Sequence, residues 1–438
     1  MYEDIKSNIM LFLIKAKNSS LYNNAFYLML NTAFTAILGF AFWNIMARTF
    51  THAEVGIGTV LISASGLIGT FANFGMGVGL MRFVPDVGQD ATRLNNSAFT
   101  LTASIAGICA LIYLIGINSW APALLFVRQN ILLLLFFILF TTITAIYLLT
   151  DQSLIAGRAA KYVFWKNTLT SFLKLPLPVL LFSFLKGYGI FAGTGVAMML
   201  AVGLTWFMFM PKVYRGYLPR PVLARDLLSK MLPYSFSNYL ANLLNQTPTY
   251  IYPLMVINVL GPEYSAYFYM AWIMAMVLTI IPSSFAQSLF AEGAHNPSSL
   301  GHNGRRALLL SLLLTIPAVI TLSLLGQWIL HFFGHAYAEN GIGVFHYLVL
   351  AMIPLCINSF YMTINQVKKQ ITLILLQTGF LAIVSLGLGY WLLIRMGLNG
   401  LGMAYTSAQF SLACIIVWPL WKELKEKQYN DNPRFEGD

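Results

Sequence analysis

Charge punctuates this chain only at long intervals, and the intervals constrain what it can fold into. Windows 18–47, 55–81, 94–127, 129–150, 187–211, 231–262, 264–291, 307–338, 340–367, 370–394 and 396–421 contain no Asp, Glu, Lys or Arg. A twelfth apolar stretch, 167–185, is interrupted only by Lys174. A bilayer core is about 30 Å thick and takes roughly 20 helical residues to cross, so every stretch is long enough to span it. Hydrocarbon offers the backbone no hydrogen-bond partner, and segments of this length satisfy themselves as helices. The expected fold is therefore an all-α polytopic membrane protein with twelve transmembrane helices. At 58% hydrophobic and 9% charged residues, the remainder is thin loop with no room for a soluble catalytic domain.

The formal charge of +11 would suggest nucleic acid in a soluble protein, but its distribution points to the membrane. With the N-terminus placed inside, 21 of the 26 Lys and Arg fall on the inner side. Arg48, Arg128, Lys186 and Arg395 fall outside, and Lys174 lies within a span. This asymmetry predicts a plasma-membrane protein with both termini in the cytoplasm. Residues 1–17 lack the cleavage site of a signal peptide. They read either as an amphipathic helix on the inner surface or as a disordered tail. Cys109, Cys356 and Cys414 all fall in spans and read as packing residues.

The most polar internal segment is 211–230, PKVYRGYLPRPVLARDLLSK. It reads as a cytoplasmic basic linker between six-helix bundles at 1–210 and 231–438, the second ending in a short cytoplasmic tail. Six is even, so each bundle begins and ends on one face, and the bundles can be related only as a parallel repeat. The connection Ala47-Arg48-Thr49-Phe50-Thr51-His52-Ala53-Glu54-Val55-Gly56 has an echo in Ile257-Asn258-Val259-Leu260-Gly261-Pro262-Glu263. In each, a short polar turn ends in a Glu that suits the dipole at the start of the next helix.

The first of those runs, followed by Asn73-Phe74-Gly75-Met76-Gly77-Val78-Gly79-Leu80-Met81-Arg82-Phe83-Val84-Pro85, resembles the opening helices of polysaccharide-biosynthesis membrane proteins. These are the oligosaccharide flippases of the multidrug/oligosaccharidyl-lipid/polysaccharide exporter superfamily. The pattern is an Ala-Arg, a Gly-Pro-Glu-like turn and an Asp-Leu-Gly-like element closing on Arg-Phe. The second half adds Pro282, Gln287 and Leu289-Phe290. Asn73 stands where Asp is common, and Thr51-His52-Ala53 where Gly-Pro-Glu is common. The resemblance implies a MATE-like arrangement and the flipping of a lipid-linked oligosaccharide from the inner to the outer leaflet. The implied partners are a polyprenyl-phosphate- or diphosphate-linked glycan, membrane lipids and other glycan-assembly proteins. No nucleic acid, metal or cofactor is implied.

Candidate binding groups follow from what a glycan phosphate needs. Lys174 is the one charge well inside a span, where insertion costs roughly 2.5–3.5 kcal/mol. It reads as a phosphate contact, or alternatively as a snorkelling side chain or the partner of Asp151. Arg48 and Arg82 have the guanidinium geometry to grip a diphosphate, or else anchor helix ends at the interface. In span seven Asn238, Asn242 and Asn245 are spaced to share one helical face, and amides of this kind suit sugar hydroxyls. Ser235, Gln246, Thr247 and Thr249 add to the same polar run, whose alternative reading is interhelical hydrogen bonding. Asn31, Asn44, Asn73 and Gln287 are expected to face the same space. Pro248, Pro253 and Pro282 are candidates for gating bends or fixed kinks. Gly75, Gly77 and Gly79 read as a locally flexible helix end.

Two rival functions make different demands. A multidrug antiporter needs a buried exchangeable carboxylate, and only Asp151, at the inner end of span four, approaches that description. A membrane glycosyltransferase or glycan polymerase would place catalytic groups in sizeable outer loops, whereas the connections 48–54 and 261–263 are short.

Overall fold

Helices dominate residues 20–295 and 300–425, the segments described by the computed structural model, and no strand occurs among them. The amphipathic segment expected within 1–17 lies outside the described residues. Nine helices among the described residues are long and apolar enough to cross a membrane. Exposed side chains such as Leu313, Leu324, Ile383 and Trp418 present the apolar surface that a bilayer covers. The protein is a multi-pass helical membrane protein.

The chain divides into two compact units, Met1–Tyr239 and Leu240–Asp438. Unit 1 begins with α1 (Ser20–Thr49) and α2 (His52–Asn73). A capping box starts α2: the Thr51 hydroxyl accepts from the Glu54 amide, and the Glu54 carboxylate accepts from the Thr51 amide at 2.9 Å. The Glu that the sequence places at this turn therefore has a defined task, satisfying a backbone donor that the helix leaves open.

The short α3 (Met76–Phe83) follows a break made by Phe74 and Gly75, both left-handed. The Asn73 side chain bridges the break by accepting from the Gly77 amide at 2.9 Å. The glycine run is therefore a site of close packing, which corrects its reading as a flexible end. A Cβ on Gly75 would lie 2.8 Å from Ser235 Cβ, and one on Gly79 would lie 2.3 Å from Met231 Cγ.

Helices α4 (Ala91–Ile115) and α5 (Ile131–Ala156) pack together, and α5 also carries α2. The Asn130 side chain caps α5 by accepting from the Leu132 amide at 2.9 Å. Helix α6 (Ala160–Leu173) returns from α5 and lies along α1; α7 (Leu177–Leu185) follows a break at Pro176 and packs on α8 (Tyr188–Leu204). The linker is strapped down. Asn96, Ser97 and Thr100 of α4 hydrogen-bond the backbone of Leu218, Ala224 and Val222 at 2.8, 2.9 and 3.2 Å. Tyr217 is buried in the core of unit 1.

Helix α9 (Arg225–Val259) runs through the division between the units. Unit 2 continues with α10 (Pro262–Met276), a 3-10 turn Val277–Thr279 and α11 (Ile280–His295). Gly261 takes a positive φ of 97°, and Pro262 then opens α10 without leaving an orphan donor. Helices α12 (Leu300–His331), α13 (His335–Leu350) and α14 (Met352–Val367) lead to α15 (Ile371–Lys425). At Gly397, φ 61° and ψ −146° split α15 into two helical segments. That backbone region is open essentially to glycine alone.

Candidate functional site

Unit 2 contains an open cavity of about 350 Å³ lined by residues of α9, α10, α14 and α15. The volume lies in the range of roughly 300–1,000 Å³ usual for ligand sites. No described residue lining it is charged. Asn245, Gln246 and Thr249 of α9 contribute to one side; Asn358, Gln377 and Gln409 contribute from α14 and α15. The last three form a relay. Asn358 Nδ2 donates to Gln409 Oε1 at 2.7 Å, and Gln377 Nε2 donates to the Asn358 carbonyl at 2.7 Å.

The relay spends amide donors and leaves acceptors. Asn358 Oδ1 and Gln377 Oε1 are buried without a hydrogen-bond partner. A buried acceptor left open costs about 1–3 kcal/mol, so the cavity is suited to a guest bringing hydroxyl or amide donors. Trp272 and Tyr405 also line it, their ring centroids 5.1 Å apart, and Tyr252 packs 5.5 Å from Trp272. This aromatic wall with neutral hydrogen-bonding groups is chemistry for a sugar ring, whose faces are apolar and whose rim is hydroxyl.

Unit 1 contains a different polar cluster. Lys166 is fully buried and its Nζ lies 2.9 Å from Asp151 Oδ1. The same ammonium donates to the Tyr147 carbonyl at 2.9 Å and sits 3.2 Å from the centroid of that ring. Tyr147 donates through its hydroxyl to Asn167 Oδ1 at 2.5 Å, and Asn167 Nδ2 donates to Asp151 Oδ2 at 3.3 Å. The sequence reading grouped Lys166 with inner-surface charges and offered Lys174 as a partner for Asp151. The structure gives Asp151 to Lys166. The signal was available: residues 151 and 166 lie nearly equally far from the turn at 157–159, so an antiparallel hairpin brings them close to level.

The other sequence candidates are dispersed. Lys174 stands at the break between α6 and α7, its Nζ 4.9 Å over the Phe42 ring. Arg48 is exposed and its Nε donates to Asn44 at 3.2 Å. Arg82 forms an exposed ion pair with Asp86 at 2.6 Å. Asn31 is half-buried on α1, and its Oδ1 has no hydrogen-bond partner. Asn73 bridges the α2–α3 break. These five belong to unit 1, whereas Asn242, Asn245 and Gln287 belong to unit 2.

Of the amide row, Asn245 lines the cavity, Asn242 and Gln287 are exposed, and the Asn238 side chain lies outside the described set. Pro248 is buried and lines the cavity. Buried Pro253 lends its carbonyl to Ser265 Oγ at 3.3 Å, and Pro282 follows the 3-10 turn that interrupts α10 and α11. Asn358, Gln377 and Gln409 were missed because each is a single amide in its own apolar window. Their one sequence signal is that each interrupts such a window.

The candidate site is thus an uncharged polar cavity within a multi-pass helical membrane protein, and that fold has solved counterparts. Over 92% of this chain and 99% of the other, it superposes on the inward-facing conformation of a multidrug resistance MATE family transporter of the MOP superfamily, with a TM-score of 0.67 at 15% identity. The lipid II flippase MurJ in its inward closed conformation gives a TM-score of 0.69 at 14% identity, over 90% of this chain and 88% of that one. The outward-facing conformation of a MATE transporter gives 0.54 at 15% identity, over 93% and 96%. No curated protein sequence matches this chain. The family model for polysaccharide biosynthesis protein matches residues 21–283, and the chain belongs to that family.

Proposed function

We propose that this protein moves a lipid-linked oligosaccharide from the inner to the outer leaflet of the plasma membrane. In this reading the chain crosses twelve times, in two six-helix bundles related as a parallel repeat, with both termini cytoplasmic. The bundles alternate access by rocking, and the strapped segment 214–224 moves as part of unit 1. The glycan passes through polar space while the polyprenyl tail stays in lipid.

The observation that carries this is the neutral amide cavity of unit 2, in a member of a polysaccharide-biosynthesis family. Its two open acceptors and aromatic wall suit a hydroxyl-rich head group, and its described lining holds no carboxylate to pair with a cationic drug. A multidrug antiporter would need a carboxylate released for exchange, and Asp151 is engaged by Lys166. Lys174 is the proposed phosphate contact within unit 1.

Reconstitution tests the proposal. Liposomes holding a fluorescent polyprenyl-diphosphate oligosaccharide are expected to show protein-dependent leaflet exchange. Asn358→Leu and Gln377→Leu are each expected to slow exchange about tenfold, the loss of one good hydrogen bond to a guest. Wild-type protein that leaves exchange at the protein-free rate refutes the function. Full exchange in both variants refutes the site.

A further inference from the structure

Three cations converge in unit 1 on a concave site separate from both the amide cavity and the Lys166 cluster. Arg158 and Lys161 come from the α5–α6 turn, and Lys212 comes from the short helix Met210–Val213. With Asn23, Asn24 and Tyr27 of α1 they line a pocket of about 500 Å³. All three cations are exposed, and none forms an ion pair with a described carboxylate.

Hydrogen bonds and close packing tie together the elements that carry these charges. The Ala160 amide donates to Asn24 Oδ1 at 2.9 Å and ties the start of α6 to α1. Tyr214 donates through its hydroxyl to the Ser153 carbonyl at 2.5 Å. A Cβ on Gly157 would fall 2.3 Å from Val213 Cγ1, so the turn lies directly on the helix that bears Lys212. Arg158 has a φ of 53°, in the left-handed region that few residues with side chains adopt. Lys161 Nζ sits 4.8 Å over the Tyr162 ring, which itself stacks on Phe209. Like charges lining one pocket make a receptor for a polyanion, and Arg and Lys both suit phosphate oxygens.

The surroundings say where that anion comes from. Phe26 and Met29, next to the pocket residues of α1, are 57% and 72% exposed. Trp165, one turn beyond Lys161 on α6, is 55% exposed, and tryptophan at a helix end marks headgroup depth. A basic pocket beside lipid-facing residues receives a headgroup whose tail remains in the bilayer.

We propose that this pocket binds the phosphate or diphosphate headgroup of an anionic membrane lipid, captured on the face proposed as cytoplasmic. Only the choice of a polyprenyl carrier as the natural occupant rests on the transport function proposed above.

Binding is measured on the full chain in phosphatidylcholine nanodiscs, with farnesyl diphosphate as the probe. Lys161→Gln combined with Lys212→Gln is expected to weaken binding about tenfold or more, given the worth of each cation at a charged surface. Both side chains are exposed, and the Lys161→Arg, Lys212→Arg pair is expected to keep wild-type affinity. Competition by inorganic pyrophosphate as strong as that by the prenylated probe assigns the site to the headgroup alone. Competition by phosphatidylglycerol assigns it to phospholipid, and competition by the prenylated probe only assigns it to the carrier; each result keeps the pocket. Unchanged binding in the Gln pair, or an equal loss in a Lys368→Gln, Lys369→Gln control from unit 2, overturns it. Wild-type protein inactive in leaflet exchange would remove the transport function and leave this binding measurement intact.

Discussion

Lys166 can occupy the interior of unit 1 because several acceptors meet its ammonium: the Asp151 carboxylate, the Tyr147 carbonyl and the Tyr147 ring face. Removing one partner of a buried pair strands the other charge at a cost of about 3–5 kcal/mol, whereas replacing both by apolar groups is often nearly neutral. Lys166→Ala is therefore expected to lower the thermal midpoint in detergent sharply. Lys166→Met with Asp151→Leu is expected to recover most of the loss. A Lys166→Ala variant as stable as the wild type would show that the pair carries no such load. The pair was legible only after the α5–α6 hairpin had been drawn, because the charges look unrelated in one dimension. The amides of the unit 2 cavity were legible still less: Asn245 stood in a visible row, but Asn358, Gln377 and Gln409 meet through packing of helices distant in sequence.

Charge-free windows located the apolar helices, nine of which among the described residues are long enough to cross a bilayer. Breaks inside helices were harder. Gly75 and Gly79 suggested looseness, yet they admit Ser235 and Met231 against α3 at distances that leave no space for a side chain. Gly79→Leu is expected to drive α3 away from Met231 and to cost more than 1 kcal/mol of stability, as overpacked cores do. Gly88 has nothing within 4 Å of a built Cβ. Its φ of 54° makes Gly88→Asn the tolerant comparison, expected to fall within about 0.5 kcal/mol of wild type. At the start of α2, Thr51→Ala removes half of the capping box and is expected to cost about 1 kcal/mol. Its effect should be visible as earlier proteolysis near residue 50.

At the scale of the molecule, the proposed topology makes its own test. Single cysteines introduced at Lys161 and Lys368, in a background without Cys109, Cys356 and Cys414, are expected to react with a membrane-impermeant maleimide only after the inner face is opened. A cysteine at Arg128 is expected to react in intact cells. Labelling of position 161 from outside would invert the assignment and with it the direction of transport. The basic segment 211–230 was legible as a polar connection. Its attachment was not, because the Ser97 and Thr100 hydroxyls that hold Ala224 and Val222 look like ordinary residues of an apolar helix.

Residue 397 bears on how such a chain is threaded into its membrane during synthesis. A 55-residue α15 without an interruption would be a rod about 80 Å long, against a hydrocarbon layer of about 30 Å. One glycine backbone breaks that rod in two, and under the proposed topology it decides on which side of the barrier the residues after it lie. Valine at that position would deny the chain that break, and a reporter fused after Lys425 would then signal from the wrong compartment.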